Sequence, residues 1–241
     1  MRLNKFLASC GLGSRRSSES LISDGRVEIN GKVVRSLGTV VSPTSDEVRV
    51  DGNVVSLPRD HTYYLLHKPV DVICTAQDPG RRPTVMTLVP TTPRVFPVGR
   101  LDQDSSGALL LTDDGALTHR ILHPRYRIDK EYEVTVQGTI EEESLGLLRE
   151  GMQLPDEKRL TAPARVEVMR RLPRRSLLRM VLHEGKKRQI RRMLETVGHT
   201  VLQLRRIRIG PIVLGKLQPG EFRELTAEEV RALRRTTQER K

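Results

Sequence analysis

Leu3, Phe6, Leu7 and Cys10 recur at helical spacing in RLNKFLASCG, so the chain opens on an amphipathic helix. Ser14 stands where an N-cap belongs, ahead of RRSSESLISDG, whose apolar end is Leu21-Ile22 and whose stop is Gly25. The period then changes to two. VEINGKVV alternates around Asn30-Gly31, and VRV and NVV flank Asp51-Gly52. Asn-Gly and Asp-Gly favour tight hairpins because both central residues of the turn need positive φ. Two helices and short strands within residues 1–58 predict a compact α+β unit, and LPRDHT (57–62) reads as a linker.

From residue 62 to 241 the pattern predicts a larger domain. YYLL, ALLLT, EYEVTV, ARVEVM and LLRMVLH read as strands, and EEESLGLLRE and RRMLETVG as helices. Thr139 and Glu142 have the spacing of a capping box for the first of these helices. The elements do not alternate as βαβ, so the fold class is α+β, with a mixed, mainly antiparallel sheet flanked by helices. ELTAEEVRALRRTTQERK predicts a terminal helix that frays.

Composition narrows the function. Lys and Arg number 42 against 30 Asp and Glu, a net charge of +12, which favours a polyanionic partner, most simply nucleic acid. Aromatic residues are 3% with no Trp, too few for single-strand binding built on stacked rings. The two cysteines, Cys10 and Cys74, lie in no CxxC or His-rich cluster, so they are expected as reduced thiols of a cytoplasmic protein, with no zinc site. The opening residues lack an apolar h-region, so no signal peptide is expected, and no apolar run approaches the ~20 residues of a membrane span.

One stretch invites chemistry. In VGRLDQDSSGALLLTDDG, Asp102 precedes a small-residue turn, Ser105-Ser106-Gly107, and then a buried strand. A carboxylate desolvated there needs a cation. LHEGKKRQIRRMLETVGH can supply it: Ile190, Met193, Leu194 and Val197 mark an apolar helix face. Arg188 and Arg192 share another face, and Arg191, beside the apolar stripe, is expected to point into a cleft. Lys186, Lys187 and Arg188 at the helix start oppose its dipole, which an anionic partner would offset. In RRIRI, Arg206 and Arg208 are expected outward, completing one continuous basic wall suited to a phosphate backbone. Tyr132 shares a strand face with Val134 and Val136, the setting of an ordinary core residue unless that face ends at Asp102. His119 and His123 are four apart without a carboxylate or cysteine partner, so no metal is expected.

RLNKFLASCGLGSRR followed by LISDGRVEINGKVV, residues 1 to about 50, resembles the S4 RNA-binding module. That resemblance implies RNA contacts from Arg15 and Arg16, with Lys5 and Arg26 beside them. GRLDQDSSGALLLT, KEYEV and EGKKRQIRRM, preceded by HKPVDVICT and RPTVMTL, resemble the RsuA/RluB-type ribosomal pseudouridine synthases, the large-subunit branch more than the small. The resemblance implies isomerisation of a uridine in ribosomal RNA, 23S before 16S, after the base is flipped out. By motif position it makes Asp102 the catalytic aspartate and Tyr132 the ring that packs on the uracil and is a candidate to take the C5 proton. Arg191 becomes the partner of the catalytic carboxylate, with Lys186 as the alternative, Arg100 a holder of the flipped-out state, and Ile190 part of the pocket lining. Asp102 would attack C1′ or remove the 2′ proton, and the residues leave both open. No atoms enter or leave in this reaction, so no cofactor or metal is called for. The implied partner is ribosomal RNA or a ribosomal subunit precursor, met by a monomer in the cytoplasm. Two departures stand out: Asp71 where the family commonly has glycine after KPx, and Asp113 in LLLTDDG where LLLTNDG is usual. The alternative to an enzyme is a non-catalytic RNA-binding or ribosome-assembly factor on the same scaffold.

Overall fold

The computed structural model describes residues 1–76, 78–155 and 157–238. Contacts divide the chain into two compact units, residues 1–62 with 92–95 and 113–115, and the remainder.

The first unit begins with α1 (Leu3–Ser9) and α2 (Arg15–Ser23). Ser14 Oγ accepts from the Ser17 N–H at 3.1 Å and Ser17 Oγ accepts from the Ser14 N–H at 2.8 Å, a reciprocal cap that starts α2 where the sequence placed it. Then come β1 (Val27–Ile29), β2 (Lys32–Val34), β3 (Val48–Val50) and β4 (Asn53–Val55), in sheet order β2-β1-β3-β4 and antiparallel throughout. Asn30 and Gly31 have φ of 51° and 77°, and Asp51 and Gly52 have 50° and 79°, so both hairpins turn as the dipeptides predict. Leu3, Phe6, Leu7 and Ile22 bury the inner helix faces against Val27, Val41, Val48 and Val50. Asp113 closes this unit: its carboxylate accepts from the Thr62 N–H at 3.0 Å and pairs with His61 at 3.1 Å.

The second unit carries β5 (Tyr63–Lys68), β6 (Phe96–Pro97), β7 (Ser106–Thr112), α3 (Gly115–Leu122), β8 (Lys130–Gln137) and α4 (Glu142–Glu150). It continues with β9 (Arg165–Leu172), β10 (Arg175–Leu182), α5 (Gln189–Thr196), β11 (Val201–Ile209), β12 (Ile212–Val213), β13 (Phe222–Glu224) and α6 (Ala227–Thr236). Its nine-stranded sheet runs β13-β5-β7-β11-β8-β10-β9, with β6 on β7 and β12 on β11. β7 and β11 pair in parallel, and the other pairs are antiparallel. α4 and α5 cover one part of the sheet, where Leu145, Leu148, Met193 and Leu194 pack on Val134, Val136 and Leu178. α3 and α6 bury Leu117, Ile121 and Leu233 against Leu65, Leu110 and Ile209. Among the described residues no helix is long and apolar enough to cross a membrane.

Three local expectations are corrected. Ser106 and Gly107 are not a turn but the start of β7. Gly107 has φ 108°, and a Cβ there would meet the Arg206 carbonyl oxygen at 2.1 Å, so the strand begins where two backbones approach too closely for any side chain. The Thr139–Glu142 capping box is absent: Glu141 is the N-cap of α4 without a side-chain bond, and Glu142 pairs instead with Arg149. The alternation expected in RRIRI is broken by a register shift between Arg206 and Arg208, which turns both Arg206 and Ile209 inward. The terminal helix is α6, begun by a Thr226–Glu229 capping box, and the last three residues of the predicted tail, 239–241, lie outside the described residues.

Candidate active site

The second unit holds a cavity of about 390 Å³, within the range of small-ligand pockets (about 300–1,000 Å³). Asp102, Tyr132 and Ile190, three residues far apart in sequence, all line it. The elements explain why. Asp102 sits in the loop that enters β7. Tyr132 is on β8, opposite Arg206 of β11. Ile190 is 5% exposed in the first turn of α5 and packs into the same core as Tyr132.

The 102–105 loop is held from three sides. Lys68, at the end of β5, is completely buried, and its Nζ donates to the carbonyls of Pro69 and Ser105 at 2.8 Å each and of Gln103 at 3.4 Å. Burial pushes the Lys68 ammonium below its usual value, and nearby acidic groups including Asp102 and Asp104 oppose the shift. The Asp71 N–H donates to the Gln103 carbonyl at 2.8 Å. Asp71 has φ 62°, the left-handed region, which glycine adopts at least cost. From α5, Arg188 grips the Asp104 carboxylate with both terminal nitrogens, at 3.1 Å. Arg191 Nη2 donates to the Asp104 carbonyl at 2.9 Å and lies 3.3 Å from its carboxylate.

This corrects the central electrostatic expectation. Arg191 pairs with Asp104, and the ion pair of Asp102 is a looser one with Arg188 at 3.9 Å. The Asp102 side chain is 37% exposed, so it is not the sequestered carboxylate that the buried strand suggested. The loop presents it to the cavity rim while Asp104 two residues on takes both guanidiniums. Partial burial would raise the Asp104 carboxyl, and the Arg188 hydrogen bond with the charges of Arg191 and Arg188 reverses that and holds it below its usual value. Burial in turn lowers the Arg191 guanidinium, against the opposing charge of Asp104. Lys186, the alternative partner, points elsewhere, donating to the carbonyls of Arg159 at 2.9 Å and Leu160 at 3.3 Å.

The continuous basic wall is also corrected. Arg192 is tied to the Pro155 carbonyl and to Glu157. Arg208 is bound to Glu131 at 2.6 Å and to the Gly210 carbonyl at 2.7 Å. Arg206 is 3% exposed. The cations presented at the cavity edge are Arg100, Lys187 and Arg188, all exposed. Arg188 does so as the N-cap of α5 in the left-handed conformation, φ 50° and ψ 35°, a cost a non-glycine residue bears where the surroundings impose it. In the first unit Lys5, Arg15 and Arg16 are exposed, while the Arg26 fork is closed on Asp51 at 2.6 and 2.9 Å. His123 Nδ1 accepts from the Arg125 N–H at 3.2 Å, and among the described residues no group of three or more His, Cys, Asp and Glu is placed to hold a metal.

Lys68 and Lys130 are the site residues that the sequence pattern did not single out, whereas Asp104 was expected as a turn residue or a support to the site. Lys130 was legible in principle: it lies two residues before Tyr132 on β8 and therefore on the same face.

Comparison with known proteins shows the family. The RNA pseudouridylate synthase family model matches residues 62–196, and the S4 domain model matches residues 1–48. An uncharacterized RNA pseudouridine synthase of Aquifex aeolicus is 44% identical, covering 97% of this chain and 93% of that protein. The ribosomal large subunit pseudouridine synthase B of Bacillus subtilis is 42% identical, over 97% of this chain and 95% of its own. The ribosomal small subunit pseudouridine synthase A of Yersinia pestis is 38% identical, over 95% and 97%. A crystal structure of a pseudouridylate synthase superposes with a TM-score of 0.71 at 32% identity, over 97% of this chain and 99% of that one. The chain belongs to the RNA pseudouridylate synthase family and carries an N-terminal S4 domain; it is an RNA pseudouridine synthase.

Proposed function

We propose that this enzyme isomerises a specific uridine of ribosomal RNA, with Asp102 acting at the ribose and Tyr132 against the base. The observation that carries the reading is that Asp102, Tyr132 and Ile190 line one cavity while Arg100, Lys187 and Arg188 stand exposed at its edge. Edge cations suit the phosphates on either side of an extracted nucleotide. The ring and the apolar wall suit a base that must detach from C1′, turn and reattach through C5. A half-buried carboxylate at the rim can either attack C1′ or take the 2′ proton. The 2′-OH favours RNA over DNA. The 42% identity to a large-subunit enzyme against 38% to a small-subunit enzyme favours 23S ribosomal RNA. Arg15, Arg16 and Lys5 supply the phosphate contacts of the S4 domain. The reading places a monomer in the cytoplasm, on ribosomal RNA or a subunit precursor.

The test is purified Asp102→Asn and Asp102→Ala on ribosomal RNA. Pseudouridine formation is expected to fall at least ~10⁴-fold, the scale of losing a group that reacts covalently, while RNA binding persists. Turnover at the wild-type rate by Asp102→Ala refutes the catalytic reading and leaves the RNA-binding factor. Mapping pseudouridines in ribosomal RNA from cells with and without the gene identifies the target.

A further inference from the structure

Two cations deep in the cavity have no part in the reading above. Lys130 and Tyr132 are two apart on β8 and face the cavity together. Across the ladder on β11, Arg206 is the register partner of Tyr132, and Ile209 that of Lys130. Arg206 also lines the cavity and is 3% exposed. Its Nε donates to the Ala108 carbonyl at 2.7 Å, but its Nη2 is buried with no acceptor among the described residues. Lys130 Nζ has a long bond to the Ile128 carbonyl at 3.3 Å. Burial, then the charge of Arg206, pushes the Lys130 ammonium down to about 8, and Asp129 opposes this only in part. A buried N–H without a partner beside a half-buried cation costs stability, so the arrangement calls for an acceptor that arrives from outside.

Depth identifies that acceptor. Arg100, Lys187 and Arg188 are exposed and can meet phosphates, whereas Arg206 is reachable only by what enters furthest, the base of an extracted nucleotide. We propose that Lys130 and Arg206 form a receptor for a carbonyl oxygen of the target uracil, O2 or O4, and hold the negative charge that collects there during the reaction. The inference rests on the uridine-isomerising reading above. When the N1–C1′ bond breaks, its electron pair stays with the base, delocalised over N1, O2 and O4. C5 then forms the bond to C1′, the C5 proton leaves, and N1 takes up a proton. The base is anionic only between the two bonds, so donors fixed on its oxygen stabilise that stage more than the bound substrate and act on kcat.

The test uses a ribosomal RNA fragment carrying the mapped uridine. Lys130→Met is expected to lose about 100-fold in kcat, the effect of removing one such donor, with KM within about twofold. It is also expected to melt no lower than the wild type, because a partly desolvated charge has been removed; a merely structural lysine would lower the melting temperature. Arg206 variants risk misfolding, so the second measurement changes the substrate. Sulfur accepts hydrogen bonds poorly, so 2-thiouridine or 4-thiouridine at the target should slow the wild type at whichever position the cations hold, and slow Lys130→Met much less. Full kcat in Lys130→Met, or an equal thio effect in both proteins at both positions, overturns this inference alone. A wild-type enzyme that isomerises no uridine overturns it together with the function on which it rests.

Discussion

Arg191 and Asp104 are joined twice, by a 2.9 Å hydrogen bond to the Asp104 carbonyl and by a 3.3 Å approach to its carboxylate. The same guanidinium donates to the Val201 carbonyl at 3.2 Å, so one side chain on α5 binds the 102–105 loop to the start of β11. Asp102 is placed by its loop, with a loose ion pair to Arg188 at 3.9 Å. Arg191 therefore holds the loop that carries Asp102.

Breaking this joint should separate stability from activity. Arg191→Met leaves two backbone carbonyls without their donor and is expected to cost about 1–3 kcal/mol in urea unfolding. Asp104→Ala, at a half-exposed pair, is expected to cost only about 0.5–1 kcal/mol, yet it frees Arg188 to close on Asp102 and should lower kcat about tenfold. A double-mutant cycle on unfolding free energy should show coupling of at least about 0.5 kcal/mol, and strict additivity would mean that the contact is not made in solution.

Lys130 sets a pH dependence with a definite sign. Its pKa is lowered from 10.5 to about 8, burial being the main cause. Below that value the lysine is charged in the folded and the unfolded chain alike, and the fold bears the full cost of the partly desolvated charge. As pH rises from about 8 towards 10.5 the unfolded chain holds more protons, so this residue makes folding more favourable, by at most about 1.4 kcal/mol per pH unit. Unfolding free energy of the wild type minus that of Lys130→Met should climb through this window, and a flat difference would sink the assignment.

Gly107→Ala tests the close approach of β7 and β11. The added methyl would sit 2.1 Å from the Arg206 carbonyl oxygen and 2.6 Å from its nitrogen, with φ at 108°. The parallel pairing must open, and a loss of about 3 kcal/mol or more is expected, read as a fall in the urea midpoint. Stability equal to the wild type would show that the strands can separate without cost.

The S4 domain should declare itself through salt. Arg15 and Arg16 are exposed on α2. Arg15→Ala and Arg16→Ala should leave melting unchanged, weaken binding to ribosomal RNA, and each reduce the slope of log K against log salt by about one. Arg26→Ala should reduce that slope less, because its fork is already held by Asp51. An unchanged slope in all three variants would remove α2 from the RNA-binding surface.

Period and turn chemistry made most elements legible in advance. The Ser14 cap, both positive-φ hairpin turns and the cores of β5, β7, β8, β9 and β10 all fall on residues whose local pattern allows few alternatives. The misses share a cause. Arg206 was expected outward because strand alternation assumes an unbroken register, and the shift beside it turns the phase by one residue. Lys186 and Arg192 were assigned to a basic wall because sequence shows charge but not the carbonyls and the Glu157 that meet it.

From the chain alone come the two-part α+β organisation and the basic character, which depend on local periodicity and composition, and the candidate trio of Asp102, Tyr132 and Arg191 with Ile190 beside it, which motif order suggested. Which arginine meets which aspartate, how exposed Asp102 is, and that Lys130 and Arg206 line the cavity were decided only by tertiary structure. Ion pairing and desolvation depend on ångström-scale separations between residues some 85 positions apart, such as Arg188 and Asp104, and no pattern along a chain encodes such distances.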